Sequence, residues 1–84
     1  MLASSYEEFV GSLVKPLVSF PDDVKIETFS EEGNSLVIHV FVNPVDLGRV
    51  IGKKGRVANS IRTIAYALAA KNKQKLEIAI DSLE

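Results

Sequence analysis

The sequence of 84 residues contains no cysteine and a single histidine, His39. Without cysteine the chain can form neither a disulfide framework nor a zinc site with thiolate ligands, which fits a reducing cytoplasm. No apolar run approaches the roughly 18 residues that a membrane span requires. The first eight residues lack the basic start and the apolar core of a signal peptide. We therefore expect a cytoplasmic protein that needs no cofactor.

One part of the chain lacks acidic residues altogether. Residues 49–75 contain eight Lys and Arg and no Asp or Glu, whereas the rest contains two Lys and all eleven acids. The two parts carry +8 and −9, so the net charge of −1 conceals a strongly polarised chain. This distribution favours one basic binding region over attraction to any polyanion. For Lys71, Lys73 and Lys75, a solvated helix end is an equally good explanation.

The sequence offers little support for an enzyme. A chain of this length forms one domain, here residues 1–84, that buries only about 60 to 65% of its unfolded surface. The nearest enzyme motif is a Walker A loop, suggested by Gly48, Gly52 and Lys53. It fails because three residues separate the glycines instead of four, and because Lys54 replaces the Ser or Thr that binds Mg²⁺. We predict a protein without catalytic residues and without a metal site.

Hydrophobic periodicity predicts a helix followed by a β-hairpin in the first half of the chain. The spacing of Ser5 and Glu8 is that of a capping box at the start of the helix. Pro16 lies within the apolar stripe of that helix, which predicts a kink or a break near residues 12–15. Two segments of alternating polarity then flank a predicted turn at residues 31–34.

The second half predicts two helices and a final strand. Asn43 and Pro44 form a typical helix start, which predicts a short helix from Pro44 to about Ile51 that Gly52 is expected to end. A longer helix is predicted from Arg56 until about Lys71. Apolar alternation at Leu76, Ile78 and Ile80 predicts the last strand. The order αββααβ implies an α+β fold in which a three-stranded sheet packs its helices on one face.

The sequence Gly52-Lys53-Lys54-Gly55 lies between the two predicted helices of the second half. Glycine lacks a Cβ, so the backbone can turn sharply and a phosphodiester can approach the main chain. The two lysines supply positive charge, and the next helix directs its first N–H groups and its positive dipole end towards the loop. We therefore predict that the ligand is a phosphate backbone.

These residues also carry a family resemblance. The segment from Val50 to Gly55, set in an αββααβ order, resembles the KH domain of the type II arrangement. Residues 46–56 and 61–63, together with 13–18 and 20–24, look more narrowly like the small bacterial RNA-binding proteins called KhpA. The resemblance covers nearly the whole chain. It implies a type II KH domain with three helices on one face of the sheet, and binding of single-stranded RNA as a small chaperone or post-transcriptional regulator linked to cell elongation and division.

The resemblance also implies which residues bind RNA. KH domains hold about four nucleotides, with the G-x-x-G loop on the backbone and the bases in an apolar groove. By position, the clamp is Gly52, Lys53, Lys54 and Gly55; the groove or its support is Val50, Ile51, Val57 and Ile61; and the flanking cations are Arg49, Arg56 and Arg62. Core packing explains the four apolar residues equally well. Ala58 stands where the family often has a bulky aliphatic residue, which leaves Val57 as the candidate for that role.

Partners are expected because so few phosphate contacts give an isolated domain modest affinity, which duplication would raise. KhpA-like proteins are associated with a larger multidomain protein, KhpB, that carries its own KH domain. The resemblance therefore implies a homodimer, a complex with a KhpB-like partner, or both. One candidate surface is the sheet face bearing Phe29, Val37, His39 and Phe41, and the other is the exposed side of the third helix around Tyr66 and Ala70.

An alternative function is a protein-interaction adaptor that uses the KH scaffold without nucleic acid. The intact glycines and the paired lysines argue against it, because a degenerate KH fold has no need to retain them.

Overall fold

A computed structural model describes residues 3–33 and 35–83, excluding the side chains of residues 3 and 4. The chain follows the predicted order αββααβ. The helices and strands are α1 Ala3–Val14, β1 Lys25–Ser30, β2 Ser35–Val42, α2 Leu47–Ile51, α3 Arg56–Lys71 and β3 Lys75–Ser82. Short 3₁₀ turns lie at Lys15–Leu17, Pro21–Asp23, Pro44–Asp46 and Lys53–Gly55. That residues 1–84 form one domain stays a prediction.

The three strands form one sheet in the order β1-β2-β3. The strand β2 pairs antiparallel with β1, where Ile26 lies opposite Val40, and parallel with β3, where Ile38 lies opposite Ile78. A parallel pair needs a long crossover, and α2 and α3 provide it. The loop between α2 and α3 therefore belongs to the crossover and lies outside the sheet.

The core lies between one face of the sheet and the three helices. The side chains of β2 alternate as predicted, with Leu36, Ile38, Val40 and Val42 buried. They join one cluster with residues of each helix: Tyr6, Val10 and Val14 of α1, Val50 of α2, and Ile61, Ala65 and Ala69 of α3. This arrangement confirms the predicted packing of all three helices on one face.

The first helix differs from its prediction at its start and agrees at its end. It begins at Ala3, so the prediction that Ser5 caps it is wrong. The capping-box spacing also occurs inside helices, and alanine and serine tolerate a helical backbone, so the helix also includes Ser5 and the two residues before it. The predicted break at Pro16 is confirmed, because α1 ends at Val14 and a 3₁₀ turn follows.

The turn before α2 and the turn of the β-hairpin were also predicted. Asn43 acts as a cap as expected, since its Oδ1 accepts a hydrogen bond of 3.0 Å from the Val45 N–H. The cap begins a 3₁₀ turn, however, and α2 itself starts at Leu47, three residues after the predicted start. The hairpin turn has Gly33 at φ 72°, and the Glu31 N–H donates to the Ser35 carbonyl at 2.9 Å. Position 34, the last residue of that predicted turn, lies outside the described residues.

Candidate nucleic-acid interface

Gly52 ends α2 in a conformation that only glycine adopts readily. Its φ of 80° and ψ of 170° lie in a region that costs an L-residue about 1 to 3 kcal/mol. Its surroundings are also closed, because a Cβ at this position would lie 2.5 Å from Val57 Cγ2 and 2.8 Å from the Val57 nitrogen. The missing side chain thus allows the end of α2 to contact the start of α3 directly.

The second half of the loop, Lys54 and Gly55, has a left-handed backbone. Lys54 has φ 58° and ψ 25°, and Gly55 has φ 75° and ψ 13°. For Lys54 this conformation costs roughly 1 to 2 kcal/mol, and such strained residues are concentrated at functional sites. The Gly55 N–H donates to the Gly52 carbonyl at 3.1 Å, which closes the turn. Gly55 precedes α3 without a side-chain cap, and of the first N–H groups of that helix the one of Arg56 donates to the Lys53 carbonyl.

The positive side chains of the loop point to solvent. Lys53 and Lys54 are exposed, as is Arg56 at the start of α3. Together with the uncapped helix start they form a positively charged corner, to which an anion would be attracted. The structure therefore brings together the glycines, the lysines and Arg56 of the predicted site.

Arg49 precedes the loop on α2 and Arg62 follows it on α3, and their environments differ. Arg49 is exposed on α2, and its Nη1 donates to Ser19 Oγ at 3.3 Å. Arg62 is half-buried, and its Nε donates to the Ile78 carbonyl of β3 at 3.1 Å. The Ile78 N–H in turn donates to the Tyr66 hydroxyl at 3.3 Å. Arg62 and Tyr66, one turn apart on α3, therefore cover the outer edge of β3.

The four apolar candidates separate into two pairs by burial. Val50 is fully buried and Ile61 is 5% exposed, and both belong to the core cluster. Ile51 and Val57 are only partly buried, so their surfaces can reach a ligand. Ala58 is 1% exposed, which makes it part of the interior. Val50 and Ile61 are thus core residues, and of the four only Ile51 and Val57 keep surface that a ligand could contact.

The sequence interpretation missed the role of Asp46. This carboxylate is 1% exposed, and it accepts the Ser19 N–H at 2.9 Å and the Phe20 N–H at 3.1 Å. It joins the segment before β1 to the start of α2. The sequence shows only an acid in the first turn of a helix, a position that an exposed acid would equally favour.

The described ranges 3–33 and 35–83 contain no cluster of three or more His, Cys, Asp or Glu that could hold a metal ion. None of the helices in those ranges combines the length and the apolar character that crossing a bilayer requires.

Comparison with known proteins identifies relatives over most of the chain. A family model described as KhpA/KhpB, KH domain, matches residues 7–80. The RNA-binding protein KhpA of Listeria monocytogenes is 49% identical over 74 residues, which cover 88% of this chain and 96% of that protein. The RNA-binding protein KhpA of Lactiplantibacillus plantarum is 42% identical over 72 residues, covering 86% of this chain and 84% of the relative.

A solved structure shares the fold. The crystal structure of Era with MgGDPNP and nucleotides 1506-1542 of 16S ribosomal RNA aligns with a TM-score of 0.66 and 23% identity. The alignment covers 93% of this chain but 30% of the Era chain. At this identity the likeness shows the fold alone. Together with the family model and the mixed three-stranded sheet, it confirms the predicted type II KH fold.

Proposed function

The chain belongs to the KhpA/KhpB family of KH domains, and from this premise we propose that it binds single-stranded RNA through its G-x-x-G loop. Relatives at 35 to 49% identity carry the name RNA-binding protein KhpA. The family is one of KH domains and not of enzymes, which confirms the prediction that the protein is not an enzyme. The observation that carries the proposal is the exposed pair Lys53 and Lys54 on a backbone fixed by Gly52 and Gly55.

The proposed mechanism assigns a different part of the strand to each part of the site. A phosphate of the RNA lies against the loop, where the two lysines and the uncapped start of α3 attract it. The bases lie over Ile51 and Val57, the two apolar candidates with accessible surface. Arg49, Arg56 and Arg62 flank the strand. Exposed acids on the remaining surface, among them Glu8, Glu31 and Glu32, repel the backbone and confine it to this side.

Charge reversal in the loop tests the proposal. An exposed charge contact contributes roughly 0.5 kcal/mol, so reversing Lys53→Asp and Lys54→Asp together removes attraction and adds repulsion worth about 2 kcal/mol. We expect roughly 30-fold weaker binding of a fluorescent single-stranded RNA in a low-salt anisotropy titration. The slope of log K against log salt should also become shallower by about 1.4, since each phosphate contact contributes about 0.7.

The matched control is Lys15→Asp with Lys25→Asp, two exposed lysines outside residues 49–75 that give the same change in net charge. We expect this variant to keep most of the affinity, because neither lysine lies in the proposed site. Equal losses in the two folded variants would mean that overall charge governs binding and that the loop is not the clamp. Unchanged affinity in the loop variant would refute the clamp directly.

We further propose, from the family likeness, that the protein acts in the cytoplasm as a small RNA chaperone or post-transcriptional regulator linked to cell elongation and division. A single loop contacts few phosphates, so the isolated domain binds with modest affinity and releases its RNA readily. Such weak, reversible contact suits a protein that acts on many transcripts. Crosslinking to RNA in cells and sequencing of the bound fragments identifies those transcripts.

We propose that the domain self-associates or pairs with a KhpB-like partner, because a second site raises the effective concentration without new contacts. Both candidate surfaces have exposed apolar groups in the structure. Phe29 is 50% exposed on the sheet face, where His39 and Phe41 stack with their ring centroids 4.2 Å apart. Ala70 is exposed on α3, whereas Tyr66 is half-buried and its hydroxyl is bonded to Ile78.

Sedimentation velocity tests self-association. We expect the mean sedimentation coefficient to rise with protein concentration, and one of the variants Phe29→Asp or Ala70→Asp to abolish that rise. The variant that does so identifies the surface, because a buried charge at an apolar interface is strongly unfavourable. A coefficient that stays monomeric up to millimolar protein would exclude the homodimer.

A further inference from the structure

Phe20 exposes 48% of its side chain while its backbone is fixed on both sides. Its N–H donates to the buried Asp46 carboxylate at 3.1 Å, and its carbonyl accepts the Asp23 N–H at 3.0 Å. Pro21 follows and begins a 3₁₀ turn, which restricts the chain further. A solvent-exposed aromatic ring on a rigid backbone loses little conformational entropy when it binds a ligand, because the backbone that carries it is already ordered.

Other exposed apolar groups lie on the two segments that meet at this point. Val45 is 72% exposed, and Pro21 and Pro44 are exposed as well. The two segments that carry these residues are joined by Asp46 and by the hydrogen bond from Asn43 Nδ2 to Asp23 Oδ2 at 3.0 Å. We refer to Phe20, Pro21, Pro44 and Val45 as the Phe20 platform.

The Phe20 platform and the G-x-x-G loop lie at opposite ends of α2. This helix has five residues, so its ends are only about 8 Å apart at 1.5 Å per residue. Arg49 lies between them and donates to Ser19, the residue next to Phe20. An RNA strand that contacts the loop and Arg49 therefore needs little further length to reach the Phe20 platform.

We propose that the Phe20 platform stacks a nucleobase of the RNA strand that the loop holds. The inference rests on the proposed function, and it adds an aromatic contact outside the groove. Unpaired bases stack on exposed aromatic rings regardless of their sequence. A base is uncharged, so the nearby acids Asp22 and Asp46 do not oppose it as they would oppose a phosphate. The exposed guanidinium of Arg49 is placed to contact the phosphate that links this base to the rest of the strand.

Alanine substitution tests the stacking contact. We expect Phe20→Ala to weaken binding of an RNA octanucleotide of random sequence by about tenfold, the usual loss for one stacked base. The control is Ser12→Ala, since Ser12 is exposed on α1 and belongs neither to the loop, nor to the Phe20 platform, nor to either candidate interface. Its affinity should stay within about twofold of the wild type. Both variants are measured at concentrations where sedimentation shows the same association state as the wild type.

Tryptophan substitution gives a direct readout, because the chain contains no tryptophan. In Phe20→Trp we expect the same octanucleotide to bind at least as tightly as to the wild type and to quench the indole fluorescence, whereas Ser12→Trp should show no quenching. The platform is overturned if Phe20→Ala binds normally, or if it binds weakly while Phe20→Trp is not quenched. In either case the proposed function still stands, provided that the wild type binds RNA and the loop variant fails to bind it. A wild type that fails to bind the octanucleotide overturns both.

Discussion

Replacing Gly52 by alanine is expected to destabilise the fold by about 4 kcal/mol and to abolish RNA binding. The backbone at φ 80° and ψ 170° contributes about 1 to 3 kcal/mol of this, because the region is accessible almost only to glycine. The remainder comes from the added Cβ, which would lie 2.8 Å from the Val57 nitrogen. A backbone atom cannot rotate away as a side chain can, so the start of α3 must shift.

The loss is large relative to the total, because a domain of this size is stable by only about 4 to 12 kcal/mol. Urea denaturation followed by circular dichroism measures it, and roughly 20 °C of the melting temperature should be lost as well. Anisotropy titration of any remaining folded fraction measures RNA binding. Displacement of α3 moves its first N–H groups away from the lysines, so the phosphate site is lost with the helix contact.

Two other glycines of the same segment serve as controls. Gly48 lies within α2, and a Cβ there would meet no atom within 4 Å, so Gly48→Ala should raise stability by up to about 1 kcal/mol. Gly55 has φ 75°, but a Cβ there would make only an ordinary contact, 3.8 Å from Asn59 Nδ2, so Gly55→Ala should cost only about 1 kcal/mol. Similar losses at Gly48 and Gly52 would show that the close contact with Val57 does not determine the effect.

Replacing Asp46 by alanine is expected to cost about 3 kcal/mol of folding free energy. The carboxylate is 1% exposed and accepts two backbone N–H groups, from Ser19 and Phe20. Removing it leaves both donors without their acceptor, and each unsatisfied donor costs about 1 to 3 kcal/mol. The segment before β1 should then detach from α2, so amide hydrogen exchange at Ser19 and Phe20 should accelerate together with the loss of stability.

Asp22→Ala provides the control, because Asp22 is an exposed acid of the neighbouring 3₁₀ turn. It should change stability by no more than about 0.5 kcal/mol. Asp46→Asn should lie between the two, since an amide retains one acceptor oxygen and turns a donor towards the other N–H. A loss of less than about 1 kcal/mol in Asp46→Ala would mean that water replaces the carboxylate, and would remove its assigned role as an anchor.

The element order was predictable because the spacing of apolar residues and the residues at element ends are local features of the sequence. The buried row of β2 shows a period of two, and α3 shows a period near 3.6 between two clear boundaries, Gly55 and the residues after Lys71. Asn43 and Pro44 marked the start of the turn before α2 through chemistry that acts over a few residues. The start of α1 was wrong because a capping-box spacing does not distinguish a helix end from a helix interior.

The roles of single side chains were less accessible from the sequence. Val50 and Ile51 are adjacent and both aliphatic, yet one is fully buried and the other is only partly so. Arg62 was predicted as a flanking cation, but its Nε is bonded to a carbonyl of β3, sixteen positions later in the chain. Such contacts depend on how α3 lies across the sheet, and no local pattern encodes that geometry.

By itself the sequence determined the charge polarisation, the αββααβ order and the glycine-lysine loop, because composition, periodicity and turn chemistry act between near neighbours. Only the tertiary structure decided that Gly52 contacts Val57, that Asp46 holds the segment before β1, and that Phe20 stays exposed at the end of α2 opposite the loop. These features arise from residues brought together by burial of a shared core, where shape and hydrogen-bond satisfaction select the contacts. Separation along the chain places no limit on such contacts.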